Sequence, residues 1–151
     1  LEGAGFEAYE VSNHARDVAA RSSHNLHVWR GGDYLGLGPG AHGRLTLNGE
    51  RTATVAHRRI ADYVEGVAHG SPWAEREALD ASGAAEELVL LGLRTVEGVS
   101  LATLAALDLS DQTGPLADLI SDGFLQLRQG RVAATATGRP VLDAVLRTLL
   151  T

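Results

Sequence analysis

The fold of the first half of this chain is decided by the stretch HNLHVWRGGDYLGLGPGAH, which runs from His24 to His42. The residues between Val28 and Leu37 predict a strand, and this strand leads into a loop. Five of the ten residues from Gly31 to Gly40 are glycine. Because glycine weakens regular elements, this density indicates a backbone that turns sharply or closely approaches another group. A tight structural turn is the alternative explanation.

The letters GLGPGA at Gly36–Ala41 match the dinucleotide-binding fingerprint G-x-G-x-x-G/A. That fingerprint needs a helix directly after it, because the helix N-terminus receives the pyrophosphate. Here the residues from His42 onward predict a hairpin, and Pro39 lacks the amide N–H that would bind a phosphate. The sequence therefore argues against nicotinamide or flavin binding through this loop.

Two histidines, His24 and His27, precede the glycines at a spacing of three residues. On a helix they would share a face, whereas on the predicted strand they would point to opposite sides. Two imidazoles without a nearby carboxylate or thiol make a poor zinc site. Haem iron needs only one imidazole, and Trp29 and Tyr34 could stack on the macrocycle. The alternative is that His24 hydrogen-bonds within a turn and Trp29 packs in the core.

Composition limits what the chain can do. Its 151 residues include no Cys, Met or Lys, and 13 Arg face 19 acidic residues, so the net charge is −6. Without Cys the chain offers no disulfide, no thiolate metal site and no cysteine ligand for an iron–sulfur cluster. The acidic balance argues against non-specific nucleic-acid binding. Neither a membrane-length apolar run nor a secretory signal is recognisable, so we expect a cytoplasmic protein. The start at Leu1, inside an apolar pattern, indicates a fragment of a longer chain.

Composition also divides the chain into two predicted domains, with the boundary at Pro72. Residues 1–72 contain many glycines and all six His, whereas residues 73–151 are rich in Leu and Ala. The first part predicts a strand at Phe6–Val11, a polar loop at Ser12–Ser23 and a hairpin at Arg44–Thr54 with its turn at Asn48–Gly49. A helix ending at Gly70 is predicted from the apolar face formed by Ala56, Ile60, Tyr63, Val64 and Val67.

The second part predicts three helices, a hairpin and a last helix, which is the element order of a winged-helix domain. The predicted elements are helices at Ala84–Leu93, Leu101–Leu107 (capped by Ser100) and from Pro115 to before Gly123, a hairpin at Phe124–Thr135 around Gln129–Gly130, and a helix at about Pro140–Leu150. This part carries 6 Arg against 11 acidic residues, a net charge of −5, which disfavours DNA binding. We therefore interpret it as a packing or lid module.

Four segments of the chain resemble, in order, the C-terminal part of the radical-SAM haem chaperones, a family also described as oxygen-independent coproporphyrinogen III oxidase-like. They are YEVSNHA (Tyr9–Ala15), HNLHVW (His24–Trp29), GGDYLGLGPGAHG (Gly31–Gly43) and GLRTVEGV (Gly92–Val99). Several motifs in the family's order are far more specific than any one of them alone.

The resemblance implies a fold class between α/β and α+β. Residues 1–72 look like the terminal strands and helix of a partial (β/α) radical-SAM barrel, and residues 73–151 look like the family's winged-helix-like C-terminal domain. In the parent protein the barrel would hold S-adenosylmethionine and a [4Fe–4S] cluster, whose cysteines would lie upstream. This chain has no such cysteines, so it is expected to be inactive alone, and no catalytic residue is assigned to it.

The resemblance also implies a haem site. The His of the family's HNxxYW motif is associated with haem binding, which makes His24 the expected iron ligand, with Asn25 and Trp29 shaping the pocket. Val28 stands where the motif has an aromatic residue. Ala15 occupies a position that contacts S-adenosylmethionine in related coproporphyrinogen dehydrogenases. The glycines expected to let the backbone pass a large planar ligand are Gly36, Gly38 and Gly40.

Three functions follow as hypotheses. The first is a protein that binds haem and delivers it to a recipient protein. The second is an enzyme, a parent that oxidatively decarboxylates coproporphyrinogen III by radical chemistry. The third is an acidic winged-helix module that binds a protein partner and has no cofactor role. The HNxxxW segment favours the first hypothesis over the second.

Overall fold

The computed structural model describes residues 2–111 and 113–151, which form a mixed α/β fold. The helices are α1 Ser23–Trp29, α2 Ile60–Ala68, α3 Ala81–Gly92, α4 Leu101–Ala105, α5 Pro115–Ser121 and α6 Leu142–Leu150. The strands are β1 Glu7–Ala8, β2 His14–Ala15, β3 His42–Leu47, β4 Glu50–Ala56, β5 Trp73–Leu79, β6 Val99–Ser100, β7 Leu125–Arg128 and β8 Arg131–Ala134. Short 3-10 turns occupy Glu2–Ala4 and Arg139–Val141. No helix in this described part has the length and apolar character that crossing a membrane requires.

The chain forms two compact units, and one of them is discontinuous in sequence. The first unit combines residues 1–31 with residues 85–151, and the second consists of residues 32–84. The units do not divide at Pro72, where the sequence predicts a boundary, because β5 follows Pro72 and pairs with β4. The sequence analysis predicts no strand at Trp73–Leu79. Most of β5 is exposed, so it lacks the regular alternation of buried apolar residues that identifies a strand in sequence.

The second unit is an antiparallel sheet in the order β3–β4–β5 together with α2. The predicted hairpin is confirmed: Leu47 pairs with Glu50, and Asn48 and Gly49 have φ values of 53° and 83°, as a type I′ turn requires. The predicted helix is also present but starts at Ile60. Ala56 belongs to β4, so its place on the helical face was wrong. Gly70, with φ of 76°, follows the last turn as expected.

The predicted strand within Val28–Leu37 was also wrong, because this region begins with the end of helix α1. The side chain of Ser22 accepts a hydrogen bond from the backbone N–H of Asn25 and thereby caps the helix. Tyr34 forms only an isolated bridge, with Arg44. A local cap therefore outweighs the strand preference of Val28 and Trp29. The strand predicted at Phe6–Val11 shrinks to β1, which pairs with β2 inside the predicted loop Ser12–Ser23.

The rest of the first unit contains the predicted helices and hairpin in the predicted order, with one short strand, β6, that was not predicted. Ser100 caps α4 by accepting a hydrogen bond from the N–H of Thr103, Pro115 opens α5, and β7 and β8 form the predicted hairpin. Strand β8 lies between β6 and β7 in the small sheet. The core of this region consists of buried apolar residues: Val89, Leu93, Val99, Leu104, Leu116, Leu119, Leu125, Val132, Ala134, Leu142, Val145, Leu146 and Leu149.

Candidate functional site

Helix α1 carries three of the predicted site residues. His24 and His27 are exposed, Leu26 is buried and Asn25 lies between these extremes. With about 100° per residue, a spacing of three places His24 and His27 on the same side of the helix, and Val28 follows one turn after His24. The expectation that the two imidazoles point to opposite sides was therefore wrong, because it depended on the strand.

Trp29 lies at the end of α1 and faces a different direction. It is about 140° around the helix from His24. The guanidinium of Arg94 lies over its ring, 5.6 Å from the centroid. Its Nε1 is buried and has no hydrogen-bond partner among the described residues. Together with Gly92, Gly98, Ser100 and other residues, Trp29 lines a surface cavity of about 310 Å³.

The residue after α1, Arg30, forms a two-pronged ion pair with Glu97. Its Nε lies 2.9 Å from one carboxylate oxygen and its Nη2 lies 2.5 Å from the other. The hydrogen bond from Arg30 lowers the pKa of Glu97, and the charges of Arg30, Arg131 and Arg21 act in the same direction, against the effect of burial. The same hydrogen bond raises the pKa of Arg30. This paired geometry makes the interaction directional as well as electrostatic.

The segment Tyr9–Ala15 supports the other end of α1. The hydroxyl of Tyr9 accepts a hydrogen bond from the N–H of Ser22, the residue that caps the helix. Tyr9, Ala15 and Leu26 form a small buried cluster, in which Ala15 is 4% exposed. The structure therefore brings Ala15 together with the helix of His24, Asn25 and Trp29 in the first unit.

Glu10 is a buried carboxylate that sequence reasoning did not single out. It is only 2% exposed, and its Oε1 accepts hydrogen bonds of 2.9 Å from both the N–H and the hydroxyl of Ser12. Arg30 and Glu97 were missed as well, although Glu97 lies within the segment Gly92–Val99 and Arg30 directly follows HNLHVW. Their position in or directly beside a motif was thus the available signal, but it gave these residues no role.

The three predicted glycines lie in the second unit, and contacts within that unit account for each of them. A Cβ on Gly36 would lie 2.3 Å from the carbonyl oxygen of His42, so the close approach is to the chain's own backbone. Gly38 and Gly40 have φ values of 103° and 71°, which favour glycine. Their N–H groups donate to the Tyr63 hydroxyl at 3.1 Å and to the His57 carbonyl at 2.9 Å.

The described residues offer a histidine that can bind an iron atom only as a single ligand. Those residues contain no group of three or more His, Cys, Asp or Glu side chains arranged to hold a metal ion. The sequence contains no cysteine. An exposed imidazole on an anchored helix can still donate a nitrogen lone pair to an iron atom whose other ligands come from a macrocycle.

Comparisons with known proteins find a matching domain family and several similar proteins. Residues 79–141 match the HemN C-terminal domain. Over 151 residues the chain is 40% identical to heme chaperone HemW of Mycobacterium tuberculosis, covering 99% of this chain and 36% of that protein. The chain matches the C-terminal part of HemW/HemN-like radical-SAM proteins.

Two further proteins are similar to this chain. The mitochondrial radical S-adenosyl methionine domain-containing protein 1 of Mus musculus is 35% identical over 164 residues, with 99% of this chain and 36% of that protein covered. A solved structure of coproporphyrinogen III oxidase (HemN) from Escherichia coli, a radical SAM enzyme, matches with a TM-score of 0.58 at 15% identity, over 99% of this chain and 32% of that one. At that identity the match supports the fold alone. The chain spans a little over a third of the length of these curated relatives.

Proposed function

We propose that this chain is the part of a HemW-like haem chaperone that supplies an axial ligand to haem iron, with His24 as that ligand. The observation that carries the proposal is the position of His24, exposed on a helix held at both ends, in a chain 40% identical to a heme chaperone. The parent would bind haem as its cargo and deliver it to a recipient protein. The recipient and the cytoplasmic location expected from the sequence remain predictions.

The side chains around His24 are compatible with this role. The imidazole is exposed, and Val28 lies one helical turn further on the same side, where it offers an apolar surface to a ligand bound at His24. Val28 is smaller than the aromatic residue of the family motif, so it covers less of a macrocycle. Asn25 remains proposed as a pocket residue. Trp29 faces about 140° away from His24, so its proposed part is indirect: it fixes the end of the helix against Arg94.

The remaining cofactor assignments concern the parent protein. We propose that the part of the chain before α3 belongs to the end of its partial barrel and that the part from α3 onward is its winged-helix-like domain, which the order α3, β6, α4, α5, β7, β8, α6 supports. S-adenosylmethionine would supply radical chemistry there, and Ala15 is proposed to contact it through its backbone, since its methyl group is buried against Tyr9 and Leu26. Contacts within the second unit already account for Gly36, Gly38 and Gly40, so we assign them no part in haem binding. The [4Fe–4S] cluster would need cysteines from outside this sequence.

A haemin titration of the full-length protein tests the proposal, with His24→Ala compared with His27→Ala as the matched control. Both variants remove an exposed imidazole from the same side of α1. We expect a saturable Soret shift that His24→Ala weakens at least about tenfold, as loss of a metal ligand or its close support does. His27→Ala should bind as the natural protein does. Equal haemin affinity in all three proteins would overturn the proposal.

The second candidate is oxidative decarboxylation of coproporphyrinogen III by the parent. The match of residues 79–141 to the HemN C-terminal domain favours it. Full-length protein with a reconstituted cluster would be incubated with coproporphyrinogen III and S-adenosylmethionine. Formation of the decarboxylated porphyrinogen with cleavage of S-adenosylmethionine would place this enzyme function ahead of haem delivery. Haemin binding lost in His24→Ala without turnover would leave the chaperone as the function.

A further inference from the structure

Residues 94–98 connect α3 to β6, and we call them the anchoring turn. Two segments that are distant in sequence contact this turn inside the first unit. The backbone N–H of Val96 donates to the carbonyl of Tyr9 at 3.2 Å, and Thr95 forms a bridge with Glu10. From the other segment, the ring of Trp29 lies beneath Arg94, and Arg30 pairs with Glu97. The turn therefore holds both the segment that directly follows β1 and the end of α1.

The anchoring turn is fixed by the C-terminal part of the unit. From β8, Arg131 donates from Nε to the carbonyl of Glu97 at 2.8 Å and from Nη2 to the carbonyl of Gly98 at 2.6 Å. Gly98 has φ of 65°, and a Cβ there would lie 2.0 Å from the carbonyl oxygen of Val132. The buried hydroxyl of Thr95 donates to the carbonyl of Gly92 at 2.9 Å. These bonds give the turn one defined conformation and thus a defined position for the Glu97 carboxylate.

Helix α1 needs such support because it has only seven residues. Isolated helices shorter than about 12–15 residues are marginal in water, so tertiary contacts must hold this one. Its start is held by the Ser22 cap and the Tyr9 hydroxyl. At its end, the backbone N–H of Arg30 donates to the carbonyl of Leu26 at 3.0 Å while the guanidinium of the same residue binds Glu97. The ion pair therefore fixes the last turn of the helix directly.

We propose that Glu97 is a positioning residue for the haem ligand. By binding Arg30, Glu97 fixes the direction in which α1 presents His24. Along the helix axis, His24 lies about 9 Å from Arg30. This inference rests on the proposed role of His24 as the iron ligand. It gives the C-terminal region a part in haem binding without any contact between Glu97 and the haem.

The experiment compares Glu97→Gln with Glu86→Gln in the full-length protein loaded with ferric haem. Glu86 is an exposed carboxylate on α3, so the control makes the same chemical change away from α1. We expect Glu97→Gln to weaken haemin binding about two- to tenfold. It should also change the Soret position and the low-spin fraction in the electron paramagnetic resonance spectrum, which a general loss of stability would not change. Glu97→Asp, which keeps the carboxylate, should partly restore both signals.

A double-variant cycle tests whether Glu97 acts through Arg30. If it does, Arg30→Gln should reproduce the spectral change, and the two substitutions together should be no worse than either alone. Arg30 is 57% exposed, so this variant also serves if Glu97→Gln fails to fold. Spectra of Glu97→Gln and Arg30→Gln identical to the natural protein, with His24→Ala altered, would overturn the positioning role alone. An unaltered His24→Ala would overturn the proposed function, and the positioning role with it.

Discussion

Glu97 connects two elements of the first unit. Its carboxylate binds Arg30, and its backbone carbonyl binds Arg131, so one residue joins α1 and β8. Because both side chains of the ion pair are partly exposed, at 57% for Arg30 and 33% for Glu97, solvent weakens the attraction between them. A double-mutant cycle should therefore give a coupling of only about 0.5–1 kcal/mol.

The lowered pKa of Glu97 makes this contribution dependent on pH. Its folded-state pKa lies below the ordinary value of 4.5, so the unfolded chain takes up a proton first as the pH falls. The stabilisation is fully present above pH 4.5 and disappears as the pH falls through the folded-state pKa. We expect Glu97→Gln to reduce the free energy of unfolding at pH 7 and to leave it unchanged at a pH below the folded-state pKa of Glu97. Urea unfolding of the variant and the natural protein between these two pH values measures the difference in free energy. A difference independent of pH would contradict the prediction.

At Gly98 the backbone conformation requires glycine. An Ala here would combine a left-handed φ with a collision against the Val132 carbonyl, whereas Gly123, with φ of 79°, has open space around its Cβ position. We expect Gly123→Ala to cost about 1 kcal/mol, the cost of left-handed backbone alone. Gly98→Ala should cost at least about 2 kcal/mol more, because the anchoring turn must move. Thermal and urea unfolding of the two variants separate the cost of the backbone conformation from the cost of the collision. Equal losses of unfolding free energy would show that the collision costs nothing.

At the scale of elements, capping and turn residues explain which predictions held. These signals are local in sequence. Ser100 caps α4 through a hydrogen bond to a near neighbour, Pro115 fixes the backbone at the start of α5, and the pairs Asn48–Gly49 and Gln129–Gly130 adopt the positive φ values of their turns. Helix α1 has such a signal too, in Ser22, but Val28 and Trp29 beside the glycines favoured a strand. Strand β5 could not be predicted from its own residues, because its pairing with β4 depends on a partner and not on a buried face.

Burial distinguishes two leucines of the first unit. Leu104 on α4 is fully buried among the core residues, whereas Leu127 on β7 is 49% exposed. Leu104→Ala should lower the free energy of unfolding by about 2–5 kcal/mol, because it removes buried surface and leaves a cavity. Leu127→Ala should cost less than about 1 kcal/mol. Chemical unfolding followed by far-ultraviolet circular dichroism checks both values, and similar losses would place Leu104 outside the cooperative core.

At the scale of the whole molecule, the candidate site was only partly accessible from sequence. The motif letters single out His24, Asn25 and Trp29, and all three lie on one short helix, where Trp29 faces away from His24. The direction in which each side chain faces could not be predicted, because the sequence analysis did not predict helix α1. The roles of Arg30 and Glu97 depend on a contact across 67 positions, which no local pattern encodes.

The discontinuity of the first unit has a consequence for how the chain acquires its structure. Residues 32–84 separate its two parts, so joining them closes a loop of 53 residues. Loop-closure theory gives this an entropic cost of about 3.5 kcal/mol plus a constant, which the contacts made across the joint must repay. On the ribosome, Tyr9 and Arg30 leave the exit tunnel long before Val96, Glu97 and Arg131 are synthesised. The segment bearing His24 therefore remains without its tertiary support until the chain as far as Arg131 has been synthesised.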